Sequence, residues 1–146
     1  MSKKDDFKKQ IYGNPNWING RINRAEYIIR TFLLGLTFGF DFVGAVTFYA
    51  MGMLIPAILL GLFSCWIYWR IVMAYVKRLH DLGWKGWLAI FLIVYEFEEI
   101  LIENETLSNV FNILAVVLFF FLAWRKGNQG ANKYGKDPLM KYEENK

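Results

Sequence analysis

One cysteine, one histidine and three prolines occur in 146 residues. With Cys65 alone no intramolecular disulfide can form, and neither a metal cluster nor a redox pair is suggested. Cys65 reads as a packing residue. Only Pro56 falls inside an apolar stretch, near its start, where a first-turn proline costs little because its missing N–H would have no helical partner. No recognised catalytic signature is present, and no cofactor is implied. The first 26 residues have no apolar core of about 7–15 residues followed by a small-residue cleavage site, so the first apolar stretch is expected to direct insertion itself.

Apolar surface is abundant instead. The composition is 55% hydrophobic and 18% aromatic, too apolar for a soluble domain of this length, so most of the chain belongs in lipid. A spanning helix needs about 20 mainly apolar residues, since roughly 30 Å of hydrocarbon is crossed at about 1.5 Å per residue. Residues 27–50 and 53–76 meet that length, with Gly52 near the turn between them, and residues 107–124 are close to the minimum. Residues 87–102 form a third, doubtful stretch, interrupted by Glu96, Glu98 and Glu99.

Charge placement decides the doubtful case, because Lys and Arg in short loops mark the cytoplasmic side. Six lie before the first span (Lys3, Lys4, Lys8, Lys9, Arg21, Arg24), three between spans two and three (Lys77, Arg78, Lys85), and six after Trp124. The connection between spans one and two has no charge, and the one before Leu107 holds only Glu103 and Glu105. If span three failed to cross, the basic C-terminal tail would lie outside. The consistent expectation is an all-α, multi-pass protein of four transmembrane helices, arranged as two antiparallel hairpins with both termini cytoplasmic. The net charge of +4 reflects this layout and an attraction to anionic headgroups rather than nucleic-acid binding. Residues 1–19 read as a basic tail with an interfacial segment, 20–139 as the membrane domain, and 140–146 as a flexible tail.

Packing in lipid favours small residues that let backbones approach. Gly35 and Gly39 in span one, and Ala57, Gly61 and Cys65 in span two, therefore predict a close helix contact.

Three polar blocks interrupt the apolar chain: Gly20-Arg21-Ile22-Asn23-Arg24-Ala25-Glu26-Tyr27, Lys77-Arg78-Leu79-His80-Asp81-Leu82-Gly83, and Gly130-Ala131-Asn132-Lys133-Tyr134-Gly135-Lys136-Asp137-Pro138. The topology places all three at one membrane face. Together they resemble domain-of-unknown-function family 805, small bacterial inner-membrane proteins without an assigned biochemical activity. The likeness covers roughly residues 17–139. It implies a multi-span inner-membrane protein and brings no mechanism with it.

At the end of span two, Lys77, Arg78 and His80 suit the negative end of the helix dipole, and Gly83 suits the left-handed residue that ends a helix. Asp81 opposes the dipole and needs a partner, so it is expected to pair with Arg21 or Arg24, with Asp137 closing onto Arg78 in the same way. Glu26 is expected to pair with Arg30, four residues on. Arg70 either snorkels to the interface or lines a polar crevice. The third block reads as an ordered turn-rich loop. Its alternative is an anion-binding nest of turn amides beside Lys133 and Lys136. His80 beside Asp81 invites a catalytic reading, but adjacent helical residues do not face each other, and a cap or interfacial role is favoured.

If span three starts at Trp87, Glu96 lies roughly 13 Å deep, where a carboxylate is costly unless protonated, paired or hydrated. Glu96, Glu99 and Glu103 share one face, and Asp41 could reach the same level. The favoured reading ends span three near Tyr95 and leaves the acids in outer headgroup water; the other is an internal polar site carrying protons or cations.

The resulting expectation is a non-enzymatic inner-membrane module. Its cytoplasmic cap, built from Arg21, Arg24, Arg78, His80, Asp81, Asn132, Lys133, Tyr134 and Asp137, binds anionic headgroups or a protein partner. A small channel or transporter subunit using Asp41, Glu96, Glu99 and Glu103, oligomeric if four helices are too few to enclose a pore, is the alternative. A membrane enzyme acting on lipid phosphate comes third. Membrane lipids are the expected partners, with a second copy or another membrane protein also open.

Overall fold

A computed structural model describes residues 20–91 and 104–140. It is all-α, with three helices long and apolar enough to cross a membrane: α1 (Arg24–Ala50), α2 (Leu54–Asp81) and α3 (Glu105–Trp124). A short 3-10 turn, Gly86–Ala89, follows α2. The doubtful third stretch beyond it, with Glu96, Glu98, Glu99, Glu103 and the proposed end near Tyr95, lies outside the described residues.

Local chemistry sets the helix ends. Asn23 caps α1 by accepting the Glu26 N–H at 2.8 Å, which starts the helix three residues ahead of the apolar run and puts Glu26 at the positive end of the dipole. Glu26 then meets Arg30 at 4.0 Å, as expected, on a half-open surface where such a pair contributes little. Gly52 ends α1 with φ +75°: its N–H donates to Tyr49 O at 3.0 Å and that of Met53 to Phe48 O at 2.9 Å. Gly83 ends α2 identically, with φ +78° and bonds from Gly83 to His80 O and from Trp84 to Leu79 O. Both are the double-bonded stop that favours glycine. Because the second stop comes so late, α2 carries Arg78, His80 and Asp81 on a regular helix rather than in a loop.

The first two helices form an antiparallel hairpin. Tyr27 meets Tyr75 (5.5 Å between ring centroids), Phe38 meets Tyr68 (6.1 Å), Asp41 accepts from the Ser64 hydroxyl, and Gly44 faces Leu60. The expected small-residue contact is not the one used. Gly35, Gly39 and Cys65 are exposed, and a Cβ on Gly35, Gly39 or Gly61 would meet no atom within 4 Å. At about 100° per residue, Gly35 and Gly39 lie roughly 80° and 120° round the helix from Tyr27, off the face that carries Thr31, Phe38 and Asp41. Of the second stripe only Ala57 is buried. Arg70 is exposed with its guanidinium over the Trp66 ring at 5.5 Å, on an outward face rather than in a crevice.

The core gathers at one end of the bundle. Ile22, Tyr27, Val72, Ala74, Val76, Leu79, Leu82, Ala89 and Leu122 form one cluster, and Tyr27 joins all three helices through Tyr75 and Phe119.

Candidate functional site

Asp81 lies at the centre of this end. Both of its oxygens are held by guanidinium groups: Oδ1 accepts from Arg21 Nε at 3.1 Å and Nη2 at 3.0 Å, and Oδ2 accepts from Arg78 Nη1. The side chains of Arg21, Arg78 and Asp81 are 1%, 0% and 3% exposed. Burying a carboxylate at the negative end of a helix dipole is costly, and this double pairing offsets it.

Two cations against one anion leave a surplus positive charge, which backbone oxygens meet. Arg21 Nη1 donates to Gly130 O at 2.6 Å and Gly135 O at 3.3 Å, and Nη2 also donates to Asn128 O. All five N–H donors of Arg21 are thereby used. Arg78 Nε donates to Leu122 O at 2.8 Å and Nη2 to Arg125 O. Those carbonyls end α3, where the last turn has no N–H partners and carries the negative end of its dipole. One buried ion triad thus ties the segment before α1, the end of α2, the end of α3 and the loop after it.

The third polar block closes over His80. Asn132 Nδ2 donates to His80 O at 2.9 Å, and the Tyr134 ring stacks on the imidazole at 3.8 Å with 6° between planes. Lys133 lies over the other ring, 4.8 Å from the Tyr134 centroid. The imidazole Nδ1 faces Gly20 O at 3.3 Å; a carbonyl only accepts, so Nδ1 carries the hydrogen. Its Nε2 edge is filled by Gly86, where a Cβ would come within 2.7 Å of both that nitrogen and Val76.

Residues 17–136 match a family model described as protein of unknown function (DUF805). The chain belongs to this family. Neither a curated protein nor a solved structure matches it. The DUF805 match takes in Arg21, Arg78 and Asp81 together with Tyr134, and stops just before Asp137.

Of the two partners expected for Asp81, one is used, and the partner expected for Asp137 is not. Arg21, not Arg24, pairs with Asp81; Arg24 is exposed and makes no ion pair among the described residues. Asp137 does not reach Arg78. It accepts from the Gly130 and Leu139 amides at 2.8 and 2.9 Å, a local bond that fixes its own turn. Five of the turn amides have partners within the turn: Gly130 and Leu139 in Asp137, Tyr134 in the Asn132 side chain, and Asn132 and Gly135 in each other at 3.0 Å. Among the described residues no group of three His, Cys, Asp or Glu side chains comes together.

Gly127 and Asn128 belong to the site without having been marked by any motif. A Cβ on Gly127 would lie 2.0 Å from Asp81 Oδ2, so only glycine lets the chain pass over the carboxylate. Asn128 donates its N–H to Asp81 O at 2.9 Å. In the sequence, Gly127 after Arg125-Lys126 resembles an ordinary helix stop, and nothing there announces Asp81.

Proposed function

We propose that this DUF805 chain is a non-enzymatic inner-membrane module of four spans, with both termini cytoplasmic, whose braced cap presents a basic face to anionic lipid headgroups. The observation that carries this reading is a division of labour among cations. Arg21 and Arg78 are buried and consumed by the brace, while Arg24, Lys85, Arg125, Lys126, Lys133 and Lys136 are exposed at the same end. The loop at residues 51–53, at the opposite end, has no charge. That asymmetry supports a cytoplasmic cap.

Four crossings are supported by chain ends. Gly86 packs on His80 at the cap, and α3 also ends there, so Glu105 lies about 30 Å away at the far side. These two described ends thus lie about a bilayer's thickness apart, which supports a further crossing. The enclosure of His80 by Gly20, Tyr134 and Gly86 supports a role other than catalysis.

Spin-labelled lipids test the headgroup reading. With the chain reconstituted in vesicles, phosphatidylglycerol is expected to associate more strongly than phosphatidylcholine, by a margin that shrinks as salt screens the exposed charges. Equal association at low salt would refute it. Asp41 receiving a bond from Ser64 between two spans favours the channel or transporter subunit as a second reading. Proton or cation flux into liposomes that Asp41→Asn abolishes would establish that reading, and absence of flux would remove it.

A further inference from the structure

Between the start of α1, the turn after α2 and the end of α3 lies an open groove of about 860 Å³, lined by Arg24, Trp84, Phe121, Trp124, Arg125 and Lys126 among others. That volume lies within the roughly 300–1,000 Å³ typical of small-ligand sites. Its chemistry is split. The Trp84 and Phe121 rings stack, 5.5 Å apart with 18° between planes, and Trp124 projects beyond them, 87% exposed. Three cations also line the groove, and among the described residues no carboxylate does. Arg24, Arg125 and Lys126 form no ion pair among the described residues. Asp81, behind Gly127, is already taken by Arg21 and Arg78.

We infer that this groove binds one anionic phospholipid, its phosphate held by Arg24, Arg125 and Lys126 and its acyl chains lying along Trp84 and Phe121. The inference rests on the headgroup reading of the cap and narrows it to one place and one occupant. Guanidinium groups match phosphate bidentately, and paired tryptophans suit the level where hydrocarbon meets water. Val117, one turn before Phe121 on α3, and Phe120 are also exposed and apolar. A soluble phosphate would use the cations and leave these apolar side chains unused.

Native mass spectrometry of the full chain, released from nanodiscs of mixed phosphatidylglycerol and phosphatidylethanolamine, tests this. The unmodified chain is expected to retain one phosphatidylglycerol. Each surface cation contributes about fivefold to anionic-lipid affinity, so Arg24→Gln with Lys126→Gln should weaken retention about 30-fold. Arg30→Gln with Arg70→Gln, exposed residues outside both the groove and the basic face of the cap, should leave it unchanged. Retention that survives the first pair, or falls equally with the second, overturns the groove while leaving the headgroup reading intact. If the unmodified chain holds both lipids equally, the headgroup reading fails as well. Displacement of the lipid by an equal concentration of glycerol phosphate would assign the site to a soluble anion and overturn the lipid occupant. Should the groove variant misfold, brominated phosphatidylglycerol serves on the unmodified chain: tryptophan quenching stronger than by the brominated ethanolamine lipid, and relieved by Trp124→Phe, supports the site, whereas equal quenching by both lipids overturns it.

Discussion

The two ends of the helix bundle are held by different physics. At the cap, residues 60 positions apart meet through Arg21 and Asp81, and the triad with Arg78 is almost wholly buried. Toward the opposite end, Asp41 has the Ser64 hydroxyl, Gly44 has Leu60, and Gly35 and Gly39 have open space beside them. In lipid, apolar side chains gain little by leaving the bilayer for one another, so helices associate through packing and polar contacts. Precise contact is concentrated where the membrane ends and polar groups from distant parts of the chain converge.

The contrast is broken most severely at Asp81. Asp81→Ala leaves Arg21 and Arg78 buried without a countercharge, and a loss of about 3–5 kcal/mol is expected in reversible SDS titration of the protein in detergent micelles. Gly127→Ala comes next: its methyl would overlap Asp81 Oδ2, at an expected cost of about 1–3 kcal/mol in the same titration. At the far end the effects should be small. Asp41→Asn keeps a polar partner for Ser64 and should change stability by about 0.6 kcal/mol, the scale of one interhelical hydrogen bond in lipid. Smallest of all, Gly35→Ala with Gly39→Ala should be neutral or stabilise by up to about 1 kcal/mol per site, since alanine is the better helix former and nothing stands in its way. A marked destabilisation by that last pair would show that the glycines pack against a second copy of the chain.

The same division marks what can be read from the amino-acid sequence. Apolar length and capping residues make α1, α2 and α3 legible, and Asp81 announces itself because a carboxylate in a last turn opposes the dipole. The topology that puts both at one face narrows its partner to Arg21 or Arg24, and the structure selects Arg21. The oxygens that receive Arg78 do not follow, because Leu122 and Arg125 serve through carbonyls that every residue has. Asp137 misleads for a related reason: its own turn amides are closer than any long-range cation, and the local bond prevails. Gly35 and Gly39 mislead because spacing along a helix says nothing of which face is turned inward. Here the Tyr27 contacts with Tyr75 and Phe119 turn it.

A double-mutant cycle on Arg21→Gln and Asp81→Asn, read by SDS titration, tests the central brace most directly. If the two side chains act as one buried unit, the double variant should cost little more than the worse single variant, with a coupling of about 2–3 kcal/mol. Additive costs, with coupling near zero, would contradict the brace and leave the three polar blocks as neighbours rather than a joined cap.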